Sequence, residues 1–137
     1  MSRALILIVE DNLINQQLAR DVVEAMGHSV VTAGDAETGL SLAREQRPDL
    51  VLMDVGLPGL DGLQATRRLR ADPQIGGTPV LVLTAHAMRG DREAALAAGG
   101  DGYLSKPFRV ADLRSAVEDL LAAPPSRPAG LTRTGGG

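Results

Sequence analysis

The 137-residue chain contains no cysteine and no tryptophan, and it has one tyrosine, one phenylalanine and one lysine. Without thiols it can build neither disulfides nor thiolate metal sites, and redox chemistry at sulfur is excluded. That composition is compatible with a reducing compartment, and a cytoplasmic location is expected. No apolar stretch is long enough to span a bilayer. The first of them, Ala4–Val9, ends in Glu10 and Asp11 instead of a small-residue cleavage site. The net charge is −3 and the cations are scattered, so there is no basic stripe to neutralise a run of phosphates. Direct nucleic-acid binding and membrane attachment are therefore not expected. The scarcity of lysine and aromatics is itself uneven. Of 14 cationic side chains 13 are arginine, and the single lysine, Lys106, lies between the only two aromatic residues, Tyr103 and Phe108.

What is present has the balance of a globular domain, 44% hydrophobic and 23% charged, in a chain long enough to bury a core unaided. Ala4–Val9, Leu50–Met53, Pro79–Leu83 and the weaker Tyr103–Leu104 lack polar alternation and read as strands buried on both faces. Ser29–Thr32 is shorter and more polar, as befits a sheet edge. Between them lie helical patterns. Ile14, Leu18, Val22 and Met26 recur every fourth residue, and Val110, Leu113, Val117 and Leu120 repeat at three and four, so both stripes are expected to pack on the sheet. Ala36–Gln46, Gly62–Ala71 and Asp91–Ala98 complete the set, with Asp35, Asp61 and Asp91 at the expected helix starts. Five strands alternating with five helices predict an α/β fold, a doubly wound parallel sheet with helices on both faces. Residues 1–123 form one domain on this reading, and 124–137 form a flexible Pro- and Gly-rich C-terminal tail.

The chemistry-bearing residues fall in one place. Glu10 and Asp11 follow the first strand, Asp54 ends the third, Thr84 ends the fourth and Lys106 follows the fifth, which puts all five at carboxyl ends of strands. Open parallel sheets bind ligands at that edge. Three carboxylates there repel one another unless something positive sits among them. A hard divalent ion, Mg²⁺ or Mn²⁺, suits an all-oxygen, incomplete set of ligands. With such an ion Asp54 is chemically able to act as a carboxylate nucleophile toward phosphorus, with Lys106 as a point charge and Thr84 as a hydroxyl donor. Each residue also has a plain reading. Asp11–Asn12 suits a helix cap, Thr84 a turn, Lys106 a solvated surface and Tyr103 a half-buried ring. Their joint placement favours the chemical reading.

Val9-Glu10-Asp11-Asn12, Leu52-Met53-Asp54 with Leu57-Pro58 and Asp61-Gly62, Leu83-Thr84-Ala85 and Lys106-Pro107-Phe108 together resemble the receiver domains of two-component response regulators. The likeness runs from about Leu5 to Leu121. It implies the flavodoxin-like strand order 2-1-3-4-5, with Asp54 as phosphoacceptor. Glu10, Asp11, Asp54 and the Gly56 carbonyl would hold the metal, and Lys106 would meet the phosphoryl group. Thr84 and Tyr103 would form a switch pair, and the Lys106–Pro107 peptide would be cis. The implied function is Mg²⁺-dependent phosphoryl transfer from a phosphohistidine to Asp54. That transfer would alter the surface of the fourth helix, fifth strand and fifth helix for a downstream protein partner. The phosphodonor would be a histidine kinase or a histidine phosphotransfer protein. Such a domain catalyses its own modification and is not a turnover enzyme. Gly56, where relatives often carry a larger side chain, and His86 flank the acceptor. They are open to two readings, as a water path with a residue that orients the water, or as a backbone requirement with a solvent-facing ring. Three rivals remain. A haloacid-dehalogenase-like phosphatase carries a second aspartate two residues after its nucleophile, where this chain has Gly56. A flavodoxin-like cofactor module needs glycines where Glu10-Asp11-Asn12 stand. The third is a receiver that docks partners without phosphorylation.

Overall fold

Strands that are apolar on both faces bury a sheet only if helices cover both sides, and the computed structural model of the chain has that arrangement. It describes residues 3–84 and 91–122. The elements alternate as β1 (Leu5–Val9), α1 (Leu13–Ala25), β2 (Ser29–Ala33), α2 (Ala36–Gln46), β3 (Leu50–Asp54), α3 (Gly62–Ala71), β4 (Val80–Thr84), α4 (Asp91–Ala97), β5 (Gly102–Ser105) and α5 (Val110–Ala122). All strand pairs are parallel, in the order β2-β1-β3-β4-β5. Alternate residues of each strand feed two cores. Ile6, Ile8, Leu50, Leu52, Leu81 and Leu83 meet Ala19, Val22 and Val23 of α1 and Leu113 and Val117 of α5. Leu7, Val9, Val51, Met53, Val80 and Val82 meet α2, α3 and α4 through residues such as Leu40, Leu69 and Ala95. Among the described residues no helix is long and apolar enough to cross a membrane.

Three expectations are corrected. β5 is only partly buried along its length, because with β4 as its sole neighbour it is an edge strand and not an interior one. In α1, Ile14 and Leu18 are 80% and 41% exposed instead of packing on the sheet. Four residues advance a helix by about 40° more than a full turn, so a strict four-residue row winds off the buried face, which is carried instead by Ala19, Val22 and Val23. Val110 is exposed for a different reason, being the first residue of α5. The helix starts stand as expected for two aspartates. Asp35 accepts from the Thr38 amide, and Asp61 forms a reciprocal capping box with Gln64. The tail and His86 lie outside the described residues.

Candidate metal centre at the carboxyl edge of the sheet

Strand parity assembles the site. Side chains alternate across a strand, so Glu10 continues the face of Ile8, Asp54 that of Leu52, and Lys106 that of Leu104, all on the α1/α5 side of the sheet. These three meet there. Lys106 Nζ stands 2.6 Å from Glu10 Oε1 and 3.0 Å from Asp54 Oδ1. Glu10 and Asp54 are 3% and 4% exposed, so an ammonium bridging two buried carboxylates is the main local compensation for their desolvation. Asp11 is exposed, but one oxygen from each of Glu10, Asp11 and Asp54 lies within 4.8 Å of the others.

The loop after β1 is shaped by short-range bonds. Asn12, not Asp11, caps α1, with its side chain accepting from the Asn15 amide at 3.0 Å. That leaves the Asp11 carboxylate available. The Asn12 amide donates to Glu10 Oε2 at 3.1 Å, and Gln16 Nε2 donates to the Glu10 carbonyl at 2.9 Å. Burial pushes the Glu10 carboxyl above its usual range, the Asp54 charge adds to that push, and the bonds from Lys106 and Asn12 oppose it. For Lys106 burial pulls downward, but its bonds to Glu10 and Asp54 outweigh it and hold the ammonium above its usual range. Lys106 is thus firmly charged. Three carboxylates against one ammonium leave a surplus of two negative charges on hard oxygen donors, and that is the complement of a small divalent cation. The residues present fit Mg²⁺.

The remaining predicted residues lie on the neighbouring strands and loops. Thr84 is 4% exposed at the end of β4, and its carbonyl accepts from the Lys106 amide at 2.6 Å. Tyr103 pairs in register with Val82, two residues before Thr84. The pair therefore shares the opposite face of the sheet, where Tyr103 packs against the second core. Lys106–Pro107 is cis. Among the described residues, a Cβ added at Gly56 would meet only Asp54 Oδ2, at 3.7 Å. Gly62 has a steric reason of its own: a Cβ there would fall 2.1 Å from the Asp54 carbonyl oxygen, so α3 approaches β3 directly beneath the site only because this residue has no side chain. Sequence reasoning assigned no role to Gln16, and nothing in the pattern signals one, since its bond to Glu10 depends on how α1 leaves the loop.

The sequence profile of the response regulator receiver domain matches residues 6–118. The chain belongs to the response regulator receiver family. This receiver is 40% identical over 116 residues to the polar-differentiation response regulator DivK of Brucella anthropi, a match covering 85% of the chain and 94% of that protein. In structure it is similar to the receiver domain of a Pseudomonas aeruginosa sensor histidine kinase, which was solved with a magnesium ion coordinated in its active-site cleft. The TM-score is 0.82 at 38% identity, covering 89% of this receiver and 100% of that domain. It also resembles the chemotaxis protein CheY4 of Vibrio cholerae, with a TM-score of 0.81 at 28% identity, covering 87% and 99% of the two chains. The receiver fold and the order 2-1-3-4-5 agree with the sequence reading.

Proposed function

We propose that this receiver takes a phosphoryl group from a phosphohistidine onto Asp54 in the presence of Mg²⁺, and that the change alters a protein-binding surface. The observation that carries the reading is the convergence of Glu10, Asp11 and Asp54 within 4.8 Å, with Lys106 3.0 Å from Asp54. In the transfer an Asp54 oxygen forms a bond to phosphorus as the phosphorus–nitrogen bond of the phosphohistidine breaks. The imidazole leaves with the electron pair. Lys106 meets the charge of the incoming group from the side of Asp54 Oδ1, and Oδ2, toward Gly56, is the oxygen available to react. Glu10, Asp11, Asp54 and the Gly56 carbonyl would hold a divalent ion, which when bound would supply charge neutralisation between two anions that otherwise repel.

After transfer, the Thr84 hydroxyl at the end of β4 would donate to the new phosphoryl oxygens, and Tyr103, on the same face as Thr84, would be the ring that responds. Both border the α4–β5–α5 surface, where the protein partner binds. A histidine kinase or a histidine phosphotransfer protein is the phosphodonor, and Asp54 is its acceptor. The test is intact-protein mass after incubation with a small phosphodonor such as acetyl phosphate, with and without Mg²⁺. The wild type gains one phosphoryl group only with Mg²⁺, and Asp54→Ala gains none. A folded, Mg²⁺-binding wild type that gains nothing at the shortest sampled times would instead identify a domain that docks partners without phosphorylation.

A further inference from the structure

We infer that Gln16 is a positioning residue for the metal centre, holding the Glu10–Asp11 peptide so that the Asp11 carboxylate is presented to the ion. The inference rests on the metal-dependent reading above and adds a residue outside the acidic set. Asp11 is exposed, and its side chain makes no hydrogen bond or ion pair to a described residue. Its position is therefore set by its backbone alone. The β1 ladder ends at Val9, which pairs with Ala33 and Met53. One further bond, from the Glu10 amide to the Ala33 carbonyl at 2.9 Å, ties the start of the loop. The Glu10 carbonyl lies beyond the last rung, and Gln16 Nε2 supplies its donor at 2.9 Å. Because the peptide unit is planar, fixing that carbonyl fixes the direction of the Asp11 amide and the place of its Cα.

Gln16 is suited to the task by where it stands. It lies in the first turn of α1, its own amide donates to the Asn12 carbonyl, and its side chain is half-buried. The Asn12 amide closes the other side of the loop on Glu10 Oε2. The Glu10–Asn12 loop is thus held at both ends by groups that do not touch the ion. Partners of this outer kind typically alter metal affinity when removed. Gln17, the next residue, spends its amide on Asp21 Oδ1 at 2.7 Å, away from the site, and serves as an internal control.

The experiment is calorimetric titration of the full chain with Mg²⁺, alongside its unfolding midpoint in chelator. Gln16→Met keeps the side-chain length and removes the donor, and it is expected to weaken Mg²⁺ binding roughly tenfold, with Gln16→Ala behaving alike. Gln17→Met is expected to bind as the wild type does. A Gln16→Met protein that loses stability in chelator but keeps wild-type Mg²⁺ affinity would overturn the inference in favour of a purely structural bond. So would one unchanged in both. Failure of the wild type itself to bind Mg²⁺ would remove the metal-site reading and Gln16's role with it, a result distinct from a wild type that binds and a variant that binds equally.

Discussion

The Asp54 carboxylate is asymmetric in its surroundings. One oxygen is held by Lys106, and the other faces the flank where Gly56 has no side chain. A Cβ is accommodated there, because the nearest atom it would meet among the described residues is Asp54 Oδ2 at 3.7 Å. Gly56→Met should therefore fold, screen the acceptor from water, and slow release of inorganic phosphate from the phosphorylated protein several-fold. Equal rates for variant and wild type would mean that a side chain at this position does not govern the access of water, since Gly56 is not among the glycines with positive φ. The convergence of Glu10, Asp11, Asp54 and Lys106 was legible in the sequence, and for a physical reason. Lys106 stands out in a chain that otherwise uses arginine for every cation, and a compact ammonium bridges two carboxylates where a planar guanidinium would not fit equivalently. The acidic residues were legible because they end apolar runs. Gln16 and the steric role of Gly62 were not, since each depends on an approach between elements that spacing does not encode.

Among the elements, α1 departs furthest from its sequence pattern. Its first turn presents Leu13 and Ile14 at 76% and 80% exposure, with Leu18 at 41% one turn on. These residues begin two positions after Asp11, beside the crevice that a phosphohistidine donor would have to enter on the proposed function. Apolar side chains left bare beside an acidic crevice suit an interface core. Ile14→Asp should lower the rate of phosphotransfer from a phosphorylated donor protein by roughly tenfold, about 1.4 kcal/mol. The rate with acetyl phosphate should stay unchanged, because the small donor needs no docking surface. Loss of both rates would show damage to the site instead. The exposure could not be read in advance: a row of apolar residues at four-residue spacing looks like a buried stripe until the helix is placed and the small Ala19 proves to face the sheet. Where a strand is apolar on both faces, as in β1, β3 and β4, the pattern was sufficient. It was insufficient for β5, whose four residues are all only partly buried.

For the whole molecule, alternation of strands and helices sufficed to predict a doubly wound sheet, but strand order is a tertiary fact that periodicity does not contain. The expected order came from likeness to a family, and the sheet agrees with it. That order brings β1 and β3 side by side, and with them the three carboxylates at their carboxyl ends. An ion that binds the folded chain and not the unfolded one stabilises the fold by mass action. Mg²⁺ at a hundredfold excess over its Kd should add about 2.7 kcal/mol to the stability of the wild type. In thermal melts the midpoint rises accordingly, and Asp11→Ala should show much less of the rise at the same Mg²⁺ concentration. A midpoint indifferent to Mg²⁺ in the wild type would contradict the metal centre. The solitary lysine also makes the molecule unusually simple to interrogate. Lys106 is the one lysine of the sequence, and its amine is clamped between two acids with the side chain 14% exposed. Acylation by an amine-selective reagent thus reads a single side chain, its rate reporting how tightly Glu10 and Asp54 hold the Lys106 amine, without a fluorophore or an engineered label.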